Sequence, residues 1–219
     1  MMQNELNIIV CIKTAPSDTV REHFGSSEER FEPNFFDHTA LEYGFRLRGE
    51  FGGRVDVLSI GPMSTMKLMR ETLAMGADRA VLLSDPALVN TDALNMTKAL
   101  SAAIRLMVPY DLVLFGSHQG DNPNDQIGSK TARMLNLPFL IDVERIWLGA
   151  SELRGQRNIN HTLETFEMSF PTALTIQPQK VKSRNRSIFG ITAAFEDLEV
   201  DVYSLADVGF KAHSVSTYH

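Results

Sequence analysis

The sequence has one cysteine, one tryptophan and no long apolar run, and these shortages narrow the class of protein. A single cysteine, Cys11, cannot form an internal disulfide, so the hydrophobic core has to stabilise the fold without covalent help. No apolar stretch approaches the roughly 20 residues that a membrane-spanning helix needs. The first residues also lack the basic and then apolar pattern of a signal peptide. We therefore expect a cytoplasmic protein that does not insert into a membrane itself.

An excess of positive charge is missing as well. The 219 residues carry a formal net charge of −6, which disfavours binding to nucleic acid through neutralisation of its phosphates. One local exception is a basic run without any acid, from Lys180 to Arg186. Because such a run can serve a docking contact, we regard residues 177–195 as a candidate docking loop.

Apolar runs alternate with helical periodicity from the N-terminus onward. This alternation predicts an α/β fold with an open, mostly parallel twisted sheet and helices on both faces. Asp37 and Asp92 are predicted to cap helices, and Gly76 is predicted to end one in a left-handed conformation. The strands of this part are predicted at residues 7–12, 54–59, 80–83, 111–116 and 139–143.

Beyond Trp147 the apolar period changes to that of short strands separated by polar turns. The pattern predicts a C-terminal β-hairpin region on the edge of the sheet, followed by a last strand near residues 198–203. We expect one α/β domain over residues 1–205 and a short tail over residues 206–219. The strands of the hairpin region are predicted at residues 153–159, 162–169 and 171–176.

The segment from Gly116 to Gly128 joins an apolar strand to a helix that is predicted to open at Ser129. Such a loop lies where open α/β sheets bind ligands, and the helix after it presents unpaired N–H groups to an anion. The same residue types also form plain surface turns, so a phosphate-binding loop and a turn both remain open. Donors and acceptors for a ribose and a phosphate are offered by Asp121, Asn122, Asn124, Asp125 and Gln126.

Catalytic motifs are poorly represented. The sequence contains no Cys-x-x-Cys, no His-x-x-x-His, no nucleophile elbow and no Walker loop. His118 lies near Asp121 and could act as a base, but a histidine in a turn is the preferred interpretation. We expect no metal site and no enzymatic activity of the chain alone.

Three separated segments resemble the β subunit of electron transfer flavoproteins. They comprise residues 10–13 with 33–37 and 40–48, residues 59–62 with 73–83, and the loop that ends with residues 125–128. The resemblance implies an adenine-nucleotide-binding α/β domain that pairs with an α subunit, which holds most of the contacts to the redox FAD. It further implies electron transfer from a flavin dehydrogenase to an acceptor. The nucleotide of the β subunit would be AMP, or a second FAD in the same pocket.

Carried over position by position, the resemblance nominates a nucleotide site. Cys11 would lie beside the adenine, Ile60 would pack against it, and the loop would hold ribose and phosphate with the N–H groups of its last residues. The implied cofactor-binding residues are Cys11, Asn34, Asp37, Ile60, Asp121, Asn122, Asn124, Asp125, Gln126, Ile127, Gly128 and Ser129.

The sequence also departs from the family pattern. The segment from His118 to Asp121 replaces the usual Gln-Ala-x-Asp, and the extended arm that usually follows the position of Phe210 is not seen. Ile188 and Phe189 are the candidate partner-docking residues, although they could equally re-enter the core after the basic run. These departures leave an alternative, in which the chain is a stand-alone adenine-nucleotide-binding protein, a homodimer without a redox role.

Overall fold

A mostly parallel sheet lies at the centre of the computed structural model, which describes residues 5–16, 31–33, 35–88, 91–116, 126–148, 152–177 and 199–210. Its strands are β1 Leu6–Pro16, β2 Phe31–Pro33, β3 Gly53–Ile60, β4 Arg79–Leu83, β5 Leu112–Gly116, β6 Phe139–Leu148, β7 Glu152–Ile159, β8 Thr162–Ser169, β9 Thr172–Ile176 and β10 Asp201–Tyr203. The described helices are α1 Phe35–Phe51, α2 Met66–Met75, α3 Ala93–Leu106 and α4 Ile127–Met134, with short 3-10 helices at Met63–Thr65 and Pro86–Leu88.

The strand order is β10-β4-β3-β1-β5-β9-β6-β7-β8, and β2 pairs only with the end of β1. Strands β10 to β6 along this path are parallel, whereas β7 and β8 are antiparallel and form the predicted hairpin at one edge. Strand β9 follows the hairpin in sequence but lies inside the sheet, between β5 and β6. All of its residues are buried, which an interior strand allows and an edge strand does not.

Helices cover both faces of the sheet, as the sequence pattern predicts. On one face α1 and α2 pack against alternate residues of the central strands, with Phe45 and Met69 fully buried. On the other face α3 and α4 pack against the intervening residues, and Ile104 and Ala132 are fully buried there. Because successive strand residues point to opposite faces, two apolar layers form on one sheet.

Two of the predicted helix signals are confirmed. The Asp92 carboxylate accepts a hydrogen bond from the backbone N–H of Asn95 at 2.7 Å, which caps α3. Gly76 follows α2 with φ of 112°, a left-handed conformation that glycine adopts without steric cost.

Two helix starts differ from the prediction. Asp37 does not cap α1, because the helix already begins at Phe35 and Asp37 lies in its first turn, where the helix dipole still favours an acid. Helix α4 begins at Ile127 and not at Ser129. The Ser129 hydroxyl donates a hydrogen bond to the Gln126 carbonyl at 3.0 Å, which places Ser129 within the first turn.

Strand ends differ in three further places, one of which is β6, which continues beyond residue 143 to Leu148. Strand β1 runs on to Pro16 because β2 pairs with its last three residues, and the last strand is shorter than predicted, beginning at Asp201. Within the described ranges, no helix has the length and apolar character needed to cross a bilayer.

Candidate functional site

A crevice is expected where β1 and β5 lie side by side. From β1 the chain proceeds outward to β3 and β4, and it then crosses back to β5 on the other side of β1. The connections after β1 and β5 therefore leave the sheet in opposite directions, which opens a gap at the carboxyl ends of the two strands. In open α/β sheets this gap is the usual ligand site.

A row of four side chains forms the floor of this crevice on the face covered by α3 and α4. The parallel register aligns Leu58, Cys11, Phe115 and Thr175 across β3, β1, β5 and β9. All four are buried, and we call them the floor row. Ile60 lies two residues beyond Leu58 on the same strand, so it stands above the floor row at the carboxyl edge.

Helix α4 begins directly over the floor row. A Cβ atom added to Gly128 would lie 3.2 Å from Cγ of the Phe115 ring and 3.4 Å from Cδ2. The 3.2 Å contact is shorter than most Cβ contacts, so any larger residue at position 128 would require the ring or the first turn of α4 to shift by a few tenths of an ångström. Gln126 occupies the N-cap position, and its own side chain accepts no hydrogen bond from the first turn. The N–H groups at the start of a helix have no partner within the helix, and such groups can bind an anion.

Cys11 is a protonated thiol in this setting. Burial raises the pKa of the Cys11 thiol far above its usual range, and the nearby Asp37 carboxylate raises it further. A thiol that does not ionise near neutral pH is a poor nucleophile, so Cys11 contributes a small apolar surface. The interaction also shows that Asp37, in the first turn of α1, lies within electrostatic range of the floor row.

Several residues nominated from sequence therefore meet at one edge of the sheet. Cys11 and Ile60 lie on neighbouring strands, and the start of α4, from Gln126 to Ser129, lies above them, with Asp37 nearby. Other nominated residues lie outside the described residues, namely Asn34, Asp121, Asn122, Asn124, Asp125, Ile188 and Phe189. In the part of the chain that the structure describes, no group of three His, Cys, Asp or Glu side chains is placed to hold a metal ion.

Sequence reasoning did not find Phe115 and Thr175. The Thr175 hydroxyl accepts a hydrogen bond from the backbone N–H of Asp142 at 2.8 Å, and Asp142 has a left-handed backbone with φ of 57°. This bond holds an irregularity in β6 between Leu140 and Val143, next to the crevice. The available signals were a hydroxyl inside a buried strand and an aromatic residue immediately before Gly116.

Several known proteins are similar in sequence to this chain. The profile of the electron transfer flavoprotein domain matches residues 24–201. An electron transfer flavoprotein subunit beta from Thermoanaerobacterium thermosaccharolyticum is 32% identical over 217 residues, which cover 93% of this chain and 80% of that protein. The caffeyl-CoA reductase-Etf complex subunit CarD from Acetobacterium woodii is 30% identical, with 93% and 80% covered. Protein FixA from Azotobacter vinelandii is 33% identical over 183 residues, with 78% and 65% covered.

Proposed function

Because the chain belongs to the electron transfer flavoprotein family and has the role of its β subunit, we propose that the crevice between β1 and β5 holds an adenine nucleotide. The observation that carries this proposal is the close approach of Gly128 to Phe115 at the start of α4. A helix start that is drawn onto the sheet and lacks a side-chain cap suits a phosphate. Its partial positive charge and its free N–H groups favour the same ligand.

Different residues of the crevice would contact the phosphate and the adenine of the ligand. The phosphate would bind the N–H groups of Gln126, Ile127 and Gly128, while the adenine would lie against Cys11 and Ile60 on the neighbouring strands. A protonated, buried thiol and an aliphatic side chain suit an apolar planar ring. Asp37 and Asn34 would lie beside the nucleotide, and Asp121, Asn122, Asn124 and Asp125 would contact ribose and phosphate.

AMP and a second FAD both offer an adenosine and a phosphate to this set of residues. AMP would act as a structural ligand, whereas a bound flavin would supply one- and two-electron redox chemistry. In either case the FAD at the centre of electron transfer would be held mainly by an α partner. The chain would then work as a carrier subunit between a flavin dehydrogenase and an acceptor, and not as an enzyme alone.

Pairing with an α chain is supported by the names of the relatives. Two of these relatives are named as subunits, and one of the two, from Acetobacterium woodii, is named as a subunit of a reductase-Etf complex. We propose the same arrangement for this chain in the cytoplasm, with Ile188 and Phe189 as docking residues toward the dehydrogenase.

The nucleotide can be identified directly. We would co-express the chain with an α subunit, purify the complex, denature it and analyse the released small molecules by chromatography and mass spectrometry. We expect one adenine nucleotide per β chain, as AMP or FAD, in addition to the FAD of the α chain. A complex that releases no adenine nucleotide beyond the FAD of the α chain would show that the pocket assignment is wrong. Recovery of self-associated chains without an α partner would instead favour the stand-alone homodimer.

Two substitutions in the loop test the contacts. Asp125→Ala and Gln126→Ala each remove a polar side chain that would contact the ribose or the phosphate, and each should weaken nucleotide binding by about 1–3 kcal/mol for the lost contact. Gln156→Ala, on β7 and away from the crevice, is the matched control and should leave retention unchanged. Equal retention in all three variants would contradict the role given to the loop.

A further inference from the structure

Strands β7 and β8 extend beyond both helical layers. In the described part of the chain, α1 packs mainly on β1, β3, β5 and β9, whereas α4 packs mainly on α3 and, among the strands, on β9 and β6. Neither helix has β7 or β8 among its main packing partners. The hairpin therefore projects from the sheet as a two-stranded wing, and β8 is the terminal strand of the sheet path.

The backbone groups on the outer edge of β8 can be assigned from the hairpin turn. Asn160 and His161 both have positive φ, at 50° and 64°, which is the conformation of a two-residue type I′ turn. In such a hairpin the flanking pair Ile159 and Thr162 exchange hydrogen bonds, and the pairs along the ladder then alternate. The register is regular over eight pairs, so every second residue of β8 directs its N–H and C=O groups outward. These residues are Leu163, Thr165, Glu167 and Ser169.

This outer edge lacks the features by which proteins usually protect an edge strand. Strand β8 contains no proline, glycine or lysine and has no bulge. Its two acids do not guard the edge, because Glu164 forms an ion pair with Arg157 at 2.8 Å and Glu167 one with Arg154 at 2.9 Å, both on β7. Leu163 is 57% exposed. The strand at the opposite edge of the sheet, by contrast, is β10, which has only three residues and is therefore a short edge strand.

We propose that the outer edge of β8 is a docking site for an extended strand of the α partner chain, which would pair with the four outward residues. This inference rests on the proposed pairing with an α subunit. Strand addition uses main-chain hydrogen bonds for affinity and side-chain pockets for specificity. Phe166 and Met168 are only partly buried on the face of the wing that continues the core, and they offer the apolar contact beside the added strand.

Charge argues for a different chain and against a second copy. Each copy carries a formal net charge of −6, so association of two copies is opposed by their overall charge. A strand with apolar and hydroxyl side chains would match the outward residues Leu163, Thr165 and Ser169, because the two glutamates of β8 are already paired with arginines of β7. The partner is therefore expected to supply such a strand.

A proline at an outward position tests the proposal. Thr165→Pro removes one outward N–H group but no bond of the ladder with β7, and proline is tolerated on edge strands for this reason. Thr165→Ala is the matched control, since it changes the side chain and keeps the N–H group. We expect Thr165→Pro to weaken binding of the α chain at least tenfold in a titration, and Thr165→Ala to change it less than threefold. Equal affinity of the two variants would overturn the docking edge.

A second measurement does not depend on the folding of the proline variant. Amide hydrogen exchange of the wild-type chain should show slower exchange at Leu163, Thr165, Glu167 and Ser169 in the complex than in the free chain. Unchanged exchange at these amides in a saturated complex would overturn the proposal, as would β8-dependent self-association measured by ultracentrifugation.

The outcome for the docking edge is separable from that for the proposed function. Binding of the α chain that is insensitive to Thr165→Pro refutes the edge alone. A wild-type chain that binds no α subunit refutes the proposed pairing, and the docking edge with it. Nucleotide content of the same samples reports on the crevice and is expected to be equal in the two Thr165 variants.

Discussion

Gly128→Ala tests the contact on which the candidate site depends. The added Cβ would lie 3.2 Å from Cγ, 3.4 Å from Cδ2 and 3.5 Å from Cδ1 of Phe115, and the ring is buried and hemmed in by the sheet. Overpacking of this kind typically costs about 1–3 kcal/mol. Replacing glycine by alanine in a helix raises the free energy of unfolding by at most about 1 kcal/mol through helix propensity. We therefore expect a net loss in the free energy of unfolding of about 0–2 kcal/mol.

A matched control is available in the same protein. Gly49 lies in α1, and a Cβ added there would have nothing within 4 Å. Gly49→Ala should therefore stabilise the fold by about 0.5–1 kcal/mol through helix propensity alone. The two variants make the same chemical change, so the difference between them, about 1–3 kcal/mol, measures the steric contact with Phe115.

The assays are urea unfolding followed by circular dichroism, and nucleotide binding by titration calorimetry. Because the collision lifts the first turn of α4 away from the sheet, Gly128→Ala should also weaken nucleotide binding, whereas Gly49→Ala should not. Phe115→Ala removes Cγ and both Cδ atoms, which are the atoms that collide, so alanine at position 128 should cost less in that background, with a coupling of about 1–2 kcal/mol. If Gly128→Ala stabilises the protein as much as Gly49→Ala and binds nucleotide normally, the reasoning is refuted.

Substitutions at three further positions test other parts of the fold. Tyr43→Phe removes the hydroxyl that accepts the Ile146 N–H at 2.8 Å, and leaving that buried donor unpaired should cost about 1–3 kcal/mol in urea unfolding; a change below 0.5 kcal/mol would contradict this. Burial raises the pKa of the Asp56 carboxyl although Arg54 lowers it, so its folded pKa exceeds the unfolded value of about 3.9. The stabilisation from the protonated Asp56 carboxyl is complete below the unfolded pKa and is lost as pH rises through the folded pKa. The free energy of unfolding of Asp56→Asn should therefore increase relative to that of the wild type as pH rises from about 4. Identical pH profiles of unfolding free energy would refute this. His161→Gly should stabilise the hairpin turn by about 0.5–1 kcal/mol, because φ is 64° at this position, and His161→Val should lower the melting temperature. Equal melting temperatures in both variants would show that the turn is not strained.

Most elements of the fold could be predicted because their signals are local. Asp92 caps α3 through a bond to a residue three positions away, and Gly76 ends α2 through its own backbone angle. The alternation of strands and helices likewise follows from apolar periods that span only a few residues. The start of α4 was placed two residues late because Ser129, a typical capping residue, bonds back to the Gln126 carbonyl within the first turn.

The site could be predicted only in part. The family pattern led to Cys11, Ile60 and the start of α4, and the structure brings these together at one edge of the sheet. Phe115 and Thr175 were missed because their roles depend on which strands become neighbours. Nothing near Thr175 in sequence indicates that its hydroxyl bonds to the N–H group of Asp142, on another strand.

By itself, the sequence determined the class of fold, the positions of most strands and helices, and a family resemblance from which the proposed nucleotide site follows. Only the tertiary structure decided that β9 enters the sheet between β5 and β6, that Gly128 lies against the ring of Phe115, and that β8 is the last of the described strands in the sheet. The physical reason is the range of the interactions. Caps, turns and periodicity act within a few residues, whereas strand order and side-chain contacts across the sheet result from the burial of apolar surface by the whole chain.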